Sequence, residues 1–472
     1  MDVTSEKFVK LSEKALHDSS LQASMTFLGM GLSSRRKLAK DRLEEFDTLR
    51  DEARDIKDHV LENLDVYLQN FEEQVIASGG HVHWAADADA ARDIVLAICQ
   101  GVGARTITKS KSMVTEEIEL VPHLEAHGIS AVETDLGEYI IQLRNEKPSH
   151  IIAPAIHLNK DQISDTFFEH HRKAGFNEKL TERSDLVAQA RQILREKFLA
   201  ADVGISGANF LVADSGTVVL VTNEGNAELT IGLPETHIAI TGIEKIVPTF
   251  EDASTFIRLL ARSAAGMEIS SYTSFITGPR RTDDRDGPSD FHVVLVDNGR
   301  SDMLGTRFQD MLRCIRCSAC LNHCPVYLSV GGHAYGSVYS GPMGAVLTPQ
   351  LASIDKAGHL PNASTLCGRC EEVCPVRIPL PKLMRYWREK EFEKHLSAPA
   401  LRRGIMIWGW LNRFPRLYRV AMAVAARSMH LFGSTKGQWM TKLPGIASGW
   451  TRHRDMKVSG DGSFMSQWKK RK

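Results

Sequence analysis

Apolar residues in the first 80 positions follow a helical period. Between residues 43 and 75 they recur every three or four positions: Leu43, Phe46, Leu49, Ala53, Ile56, Val60, Leu64, Leu68, Phe71 and Val75. This spacing predicts one long amphipathic helix, which Ser78, Gly79 and Gly80 would end. We assign residues 1–69 to an N-terminal helical segment.

From residue 81 onward, short apolar runs alternate with longer helical patterns. Predicted strands occupy residues 81–84, 106–108, 151–154, 217–222, 237–241 and 292–296, and predicted helices occupy 88–100, 182–200 and 253–264. Such alternation is typical of an α/β sheet domain, which we place at residues 70–300. A short helical segment at 303–312 leads into a cysteine-rich region.

Composition sets the end of the chain apart. The 472 residues are 43% hydrophobic and 25% charged, with zero formal net charge, as in ordinary globular proteins. Residues 381–472, however, contain 20 Lys and Arg against 5 Asp and Glu, and six of the seven Trp. We treat 381–472 as a separate basic, Trp-rich C-terminal segment. With no signal-peptide pattern and no apolar run of about 18 residues, we expect a cytoplasmic protein.

Seven of the eight cysteines lie between residues 314 and 374. Cys314, Cys317, Cys320 and Cys324 are followed by Pro325 and have the spacing C-x2-C-x2-C-x3-C-P. In ferredoxins the three closely spaced thiolates hold three corners of a [4Fe–4S] cube, and the fourth cysteine ligates the neighbouring cluster. In a reducing compartment such a group binds metal rather than forming disulfides.

The second motif repeats this pattern with one cysteine missing. Cys367, Cys370 and Cys374 align with the first motif, and Ser364 takes the place of its first cysteine. The crossed pattern assigns Cys314, Cys317, Cys320 and Cys374 to cluster 1, and Cys324, Cys367 and Cys370 to cluster 2. We place this α-helical, ferredoxin-like two-cluster domain at residues 301–380.

Cluster 2 is therefore one thiolate short. It is either a [3Fe–4S] cluster or a [4Fe–4S] cluster whose fourth ligand comes from Ser364, water or another chain. An open iron could also bind substrate, but we favour a redox relay. Zinc is the alternative metal, yet zinc sites take four ligands each, and seven cysteines with two Cys-Pro endings favour shared clusters.

Other residues near these motifs have simpler interpretations. Arg313, Arg316 and Arg369 stand next to cluster ligands, where they would either raise the reduction potential or dock an acidic partner. Cys99 lies within an apolar helical pattern, and we expect it to be a small buried residue.

Polar residues at two predicted strand ends mark a candidate site in the α/β domain. Residues 109–113 read Lys-Ser-Lys-Ser-Met, and residues 217–222 lead into Asn223-Glu224-Gly225. Active sites of open α/β sheets lie at such strand ends, and backbone amides there could hold an anion. Turn chemistry with a capped helix is the alternative explanation of both patterns.

Together these features resemble the lactate utilization protein B family. The resemblance rests on residues 108–117, 133–139, 148–157 and 206–210, on the seven-cysteine pair and on the basic tail. It implies a lactate-utilization domain related to the ribose-5-phosphate isomerase and CoA-transferase fold, two [4Fe–4S] clusters, and electron transfer in the oxidation of L-lactate to pyruvate. It also implies two partners, a cysteine-rich redox subunit and a small subunit with the same lactate-utilization domain.

Other functions stay open beside this electron-transfer role. The α/β domain could itself bind lactate or a similar 2-hydroxy acid, although no Gly-x-Gly-x-x-Gly fingerprint for a nucleotide cofactor is present. Relatives in the CoA-transferase fold use a glutamate nucleophile, which would be Glu224 here; an exposed turn glutamate is the alternative. A scaffold role, or another acid such as glycolate or glycerol 3-phosphate, also fits.

The basic C-terminal segment has three interpretations. It could lie on an anionic membrane surface, dock an acidic partner subunit or bind nucleic acid. We favour the partner subunit, keep peripheral membrane contact as the alternative, and expect no nucleic acid because the chain carries redox clusters.

Overall fold

The computed structural model describes residues 1, 3–432, 439–443, 445–451, 454–458 and 463–471. These residues form two compact units, Met1–Lys394 and His395–Lys472. The first unit confirms the prediction of a mixed α/β fold, because its strands form a parallel sheet and alternate along the chain with helices.

The chain begins with helices α1 (Phe8–Leu16), α2 (Ser19–Asp41), α3 (Phe46–Glu62) and α4 (Leu64–Ala77). The prediction of one helix over 43–75 is therefore wrong. The break falls at Asn63, whose φ of −130° lies outside the helical region. The apolar period runs on across the break, because Val60 and Leu64 are both buried, and so the pattern could not reveal it. Helix α4 ends before Gly79, whose φ of +93° favours glycine.

Ten strands follow between residues 81 and 296, a stretch that the structure describes completely. They are β1 (His81–Ala85), β2 (Thr106–Lys109), β3 (Ser130–Glu133), β4 (Val203–Ser206), β5 (Phe210–Val212), β6 (Thr217–Thr222), β7 (Thr236–Gly242), β8 (Ile246–Val247), β9 (Tyr272–Ile276) and β10 (Asp290–Val296). Six form a parallel sheet in the order β1-β10-β7-β4-β2-β3, and the others form a sheet in the order β8-β5-β6-β9. Five of the six predicted strands are confirmed, and β3, β4, β5, β8 and β9 were missed.

The sixth predicted strand, at residues 151–154, is wrong. Its backbone turns, because Nδ1 of His150 accepts hydrogen bonds from the N–H groups of Ile152 and Ala153, at 3.2 Å each. The N–H of Ser149 also donates to the carbonyl of Pro154 at 3.0 Å. These local bonds use the amides that a sheet ladder would need, and proline cannot donate to one.

Helices cover the parallel sheet and the space beside it. They are α5 (Ala88–Gly101), α6 (Met113–Glu117), α7 (Leu120–Ala126), α8 (Leu136–Leu143), α9 (Lys160–His171), α10 (Arg183–Leu199), α11 (Asn226–Gly232) and α12 (Phe250–Ala265), and the three predicted here are confirmed. Successive residues of β7 point to opposite faces. Ile238 and Ile240 join the core formed with α5 and α7, whereas Ala239 joins the core formed with α4 and the four-stranded sheet.

The cysteine region packs on the far side of the four-stranded sheet, against α2, α3 and α12. Its helices are α13 (Ala319–Asn322), α14 (Pro325–Val330), α15 (Gly341–Ala352), α16 (Ile354–Ala357), α17 (Arg369–Glu372) and α18 (Leu380–Glu393). The predicted helix at 303–312 is wrong. Two separate 3-10 turns, Ser301–Met303 and Gln309–Arg313, stand in its place, with Gly305 between them at a φ of +67° that no helix continues.

The second unit contains α19 (Pro399–Asn412), α20 (Pro415–Phe432), the short strands β11 (Trp439–Met440) and β12 (Met456–Lys457), and α21 (Phe464–Arg471). Helix α19 leaves all its large apolar side chains in contact with solvent, including Ile407 and Trp408. Among the described residues, we find no helix with the length and apolar character that crossing a membrane requires.

A buried ion-pair network joins the α/β domain to the cysteine region. The guanidinium of Arg300 binds both carboxylate oxygens of Glu117, at 2.8 and 2.9 Å, and Oε2 of Glu244 at 2.8 Å. From the cysteine region, the Tyr339 hydroxyl donates to Glu117 at 2.7 Å and Nη2 of Arg316 to Glu244 at 3.1 Å. The side chains of Arg300, Glu117 and Glu244 are at most 1% exposed, so each charge depends on its partners.

We expect Arg300→Met to lower the free energy of unfolding by about 3–5 kcal/mol, because it leaves the carboxylates of Glu117 and Glu244 buried without their main partner. The matched control is Arg280→Met, which removes an exposed 3.4 Å pair with Glu235 and should change stability by less than about 1 kcal/mol. Urea unfolding of both variants tests this. Equal effects of the two substitutions would contradict it.

The same network predicts how stability depends on pH. Burial alone would raise the pKa of Glu244, but Arg300 and Arg316 overcome burial and lower that pKa to about 2. A carboxyl with a lower pKa in the folded state stabilises the fold above its unfolded pKa of about 4.3. Stability should therefore fall as the pH drops from about 4.3 towards 2. This acid loss should be smaller in Glu244→Gln, as measured by unfolding at several pH values.

Candidate functional site: two thiol groups and a cavity at the sheet edge

Four thiol side chains line one small cavity in the cysteine region. They belong to Cys314, Cys317, Cys320 and Cys374, so the last member of the second motif joins the first three members of the first. Burial and the neighbouring thiols of Cys374 and Cys314 raise the pKa of Cys317 to about 12. A four-thiolate donor set around an enclosed space fits a [4Fe–4S] cube, which would supply one-electron chemistry there.

The remaining three cysteines form a second group. Burial, followed by the charges of Cys324 and Cys367, raises the pKa of Cys370 to about 12. Cys324 and Cys370 are buried, whereas Cys367 is exposed, and a hydrogen bond from the backbone N–H of Arg369 lowers the pKa of Cys367. This group therefore reaches the protein surface at Cys367, whereas the four-thiol group has three buried members and one, Cys314, that is partly exposed.

The backbone supports the alignment of the two motifs. Arg316 and Ser318, on either side of Cys317, have φ values of +60° and +61°. Leu366 and Gly368, on either side of the aligned cysteine of the second motif, have φ values of +53° and +85°. The left-handed positions thus coincide, and Ser364 stands where the first motif has Cys314. The hydroxyl of Ser364 accepts a hydrogen bond from the N–H of Leu366 at 3.1 Å.

Two arginines from the N-terminal helices flank the four-thiol group. Nη2 of Arg36, on α2, donates to the carbonyl of Val373 at 2.8 Å, and Nε of Arg50, on α3, donates to that of Cys374 at 2.9 Å. Both side chains are buried. Sequence reasoning missed them because they lie more than 300 positions from the residues they bind, and no local pattern marks them.

The arginines singled out beside the cysteines have unequal surroundings. Arg313 is held by Asp310 at 2.7 Å and by Asp58, and Arg369 pairs with Glu372 at the surface. Arg316 is different, because its Nη1 donates to the carbonyl of Cys314 at 3.3 Å from a largely buried position. Arg316 is therefore the one of the three that directs positive charge towards the buried group. Cys99 is fully buried in α5, as predicted.

A second cavity, of about 250 Å³, opens at the carboxyl ends of the parallel strands. Its lining includes Ser110, Lys111 and Ser112 after β2, Gly207, Ala208 and Asn209 after β4, Thr241 of β7, Lys245, Asp135, Glu224, and Ile315 with Arg316 from the first cysteine motif. Ile315 and Arg316 line the four-thiol cavity as well. We call this second cavity the sheet-edge cavity. It lies where open sheets carry their sites.

The predicted residues of the α/β domain divide between the cavity and the core. Lys111 and Glu224 line the cavity, and Glu224 is exposed at its mouth, where it accepts a hydrogen bond from the N–H of Leu136 at 3.1 Å. Lys109 instead lies in the core, with its Nζ 2.7 Å from the carboxylate of Glu133. Its charge therefore has a structural role.

Comparison with known proteins agrees with this architecture. Residues 68–296 match the model of the LUD domain, and residues 310–378 match that of the 4Fe-4S dicluster domain. The chain is thus an iron–sulfur protein in which a LUD domain precedes a dicluster domain.

Relatives of this chain match it over nearly its whole length. Lactate utilization protein B of Geobacillus thermodenitrificans is 47% identical over 91% of this chain and 90% of its own, and that of Anoxybacillus flavithermus is 43% identical over 100% and 99%. An uncharacterized electron transport protein, YkgF of Escherichia coli, is 44% identical over 93% and 91%. This chain belongs to the lactate utilization protein B family, which confirms the resemblance seen in its sequence.

The crossed arrangement predicts which cysteines the clusters need. Cys374→Ser should remove the buried cluster and lower iron and acid-labile sulfide by about half, whereas Cys99→Ser should leave both unchanged because Cys99 lies in another core. Chemical iron and sulfide analysis of anaerobically purified protein measures this. A full complement of iron in Cys374→Ser would contradict the assignment.

The buried arginines predict a direction for the reduction potential. Arg50→Met removes a positive charge beside Cys374 and should lower the potential of the buried cluster, because added electron density there loses a stabilising charge. Arg54→Met on the same helix is the control, since Arg54 is paired with Asp51 and Asp55 near the surface. Potentiometric titration followed by electron paramagnetic resonance compares the two. An unchanged potential in Arg50→Met would contradict the electrostatic role.

Proposed function

We propose that this chain is the electron-transfer subunit of a complex that oxidises L-lactate to pyruvate. The observation that carries the proposal is the grouping of the cysteines, with four thiols around one buried cavity and three in a group that reaches the surface. The names of its relatives, which refer to lactate utilization and to electron transport, support the same role.

The two groups suggest a direction for the electrons. The four-thiol group shares Ile315 and Arg316 with the sheet-edge cavity, while Cys367 of the other group is exposed. Oxidation of a 2-hydroxy acid to a 2-keto acid releases two electrons and two protons. A pair of one-electron clusters can accept the electrons, one each, and the protons pass to water. We infer that electrons enter at cluster 1, on Cys314, Cys317, Cys320 and Cys374, and leave through cluster 2, on Cys324, Cys367 and Cys370.

Partners follow from this route. We infer that a cysteine-rich redox subunit and a small subunit with a lactate-utilization domain complete the complex. The basic segment after residue 394 offers a contact surface, because α19 exposes Ile407, Trp408 and Trp410 while Arg402 and Arg403 supply positive charge. We assign this surface to an acidic partner subunit; peripheral contact with an anionic membrane is the competing assignment.

The first test is electron paramagnetic resonance on anaerobically purified protein, before and after addition of L-lactate, with and without the partner subunits. We expect the clusters to be reduced by lactate only when the partners are present. Reduction by lactate alone would move the chemistry into this chain. Clusters that stay oxidised in the complete complex would overturn the proposal.

Iron analysis of the same sample decides the type of cluster 2. About eight irons per chain would indicate two [4Fe–4S] clusters, and about seven would indicate [3Fe–4S] at the three-cysteine site. Ser364→Cys restores the eighth thiolate at the aligned position. It should bring a seven-iron protein to about eight irons, or leave an eight-iron protein unchanged in iron content. Zinc without sulfide would contradict both arrangements.

A further inference from the structure

The sheet-edge cavity lies at the point where the chain reverses direction across the parallel sheet. From β2 the chain proceeds to β3 on one side, whereas β4 pairs with β2 on the other. The loops after β2 and β4 therefore separate and leave a crevice between them, which is where open α/β sheets bind small ligands. At about 250 Å³, the cavity is smaller than the roughly 300–1,000 Å³ typical of drug-sized ligands. Its size fits a short molecule.

Polar groups in this crevice lack partners. Ser110 is 2% exposed and lines the cavity, yet its hydroxyl makes no hydrogen bond within the described part of the chain. The buried Nζ of Lys111 likewise makes no hydrogen bond there, and its ion pair with Glu138 is long, at 4.0 Å. Leaving a buried donor unsatisfied is costly, so this pair of groups indicates a ligand with oxygen acceptors.

The charge of Lys111 is also poorly neutralised. Its ion pair with Glu138 is long, and burial raises the pKa of Glu138 well above its usual range, in spite of the opposing effect of Lys111. Lys245 and Arg316 add positive charge at the end of the cavity next to the first cysteine motif. Both already bind protein oxygens there, Lys245 the carbonyl of Cys314 at 3.4 Å and Arg316 the carboxylate of Glu244. Lys111 is the cation left for a ligand.

Glycine allows the two loops to approach each other closely at the wall of the cavity. A Cβ atom on Gly207 would lie 3.0 Å from the hydroxyl oxygen of Ser112 and 3.1 Å from its Cβ, which is closer than carbon atoms pack without displacement. Asp135 and Glu224 also line the cavity and add negative charge. The lining thus offers a cation and unpaired donors to a carboxylate and acceptor oxygens to a hydroxyl group, which suits a small molecule that carries both.

We propose that the sheet-edge cavity binds a small 2-hydroxy or 2-keto monocarboxylate, with its carboxylate on Lys111 and Ser110. The proposal rests on the proposed function for the identity of the acid, and it adds that this chain, not only its partners, holds that acid. Ile315 and Arg316 line both this cavity and the four-thiol cavity, so the acid would occupy a cavity that adjoins the four-thiol group.

Isothermal titration calorimetry on the anaerobically purified, cluster-loaded full chain tests the proposal. We expect saturable binding of L-lactate and pyruvate and no measurable binding of lactamide, the neutral analogue of lactate. Lys111→Met and Ser110→Ala should each weaken pyruvate binding, Lys111→Met by about tenfold or more, because a charge-assisted hydrogen bond is lost. Lys173→Met, an exposed lysine on another element, should bind as the unsubstituted chain does.

Each outcome has a defined consequence. Iron content and unfolding midpoint identify a variant that has merely lost its fold, in which case Ser110→Ala supplies the comparison. Absence of pyruvate and lactate binding, equal binding of lactamide, or unchanged affinity in both variants would overturn the proposal. Tighter binding of inorganic phosphate than of pyruvate would overturn the carboxylate assignment.

The two proposals fail in distinguishable ways. If the chain binds no acid but its clusters are reduced by lactate in the complete complex, the electron-transfer function stands and the binding site does not. If pyruvate binds through Lys111 but the clusters are never reduced by lactate, the site stands and the function fails. Pyruvate should also shift the resonance of the reduced buried cluster in the unsubstituted chain, and this shift should be absent in Lys111→Met.

Discussion

The ion pairs of one buried guanidinium, that of Arg300, hold the α/β domain and the cysteine region together. Arg300 lies between Glu117 and Glu244, and Tyr339 and Arg316 bring the cysteine region to the same two carboxylates. Removing ions from water costs several kcal/mol each, and close pairing offsets that cost only when the geometry is good. The network therefore fixes the position of the first cysteine motif relative to the sheet. Gly242 allows this approach, since a Cβ there would lie 2.1 Å from the Glu244 carboxylate and 2.6 Å from Arg300.

This fixed position explains why the four-thiol cavity and the sheet-edge cavity are neighbours. Glu244 follows the carboxyl end of β7, and Arg316 lies within the first cysteine motif, so their ion pair places the thiol group at the edge of the sheet where ligands bind. Contacts farther along the same boundary keep the regions in place: the hydroxyl of Tyr327 donates to the carbonyl of Ser149 at 2.7 Å, and His150 pairs with Asn322 at 2.9 Å. The four-thiol group and the sheet-edge cavity are thus parts of one compact unit.

Local chemistry determines the parts of the fold that the sequence predicted correctly. Buried strands such as β7 and β10 stood out as apolar runs between turns. The cysteine spacing predicted a crossed assignment of thiolates to two clusters, and this assignment stays a prediction. The helix break at Asn63 could not be predicted because the apolar period continues across it. Residues 151–154 were predicted as a strand because the sequence does not show that the side chain of His150 accepts hydrogen bonds from their backbone N–H groups. Arg36 and Arg50 could not be found at all. Their positions next to Val373 and Cys374 depend on tertiary packing, which no helical periodicity encodes.

The participation of Arg36 and Arg50 has a consequence for how the protein is made. The four-thiol group is complete only when Cys374 has left the ribosome. Arg36 and Arg50, which flank it, are synthesised near the start of the chain. The hydrogen bonds of Arg36 on α2 and Arg50 on α3 to Val373 and Cys374 therefore form only after more than 300 further residues have been added. The four-thiol group thus joins residues that lie far apart in the sequence, and it is assembled only after nearly the whole of the first unit has been synthesised.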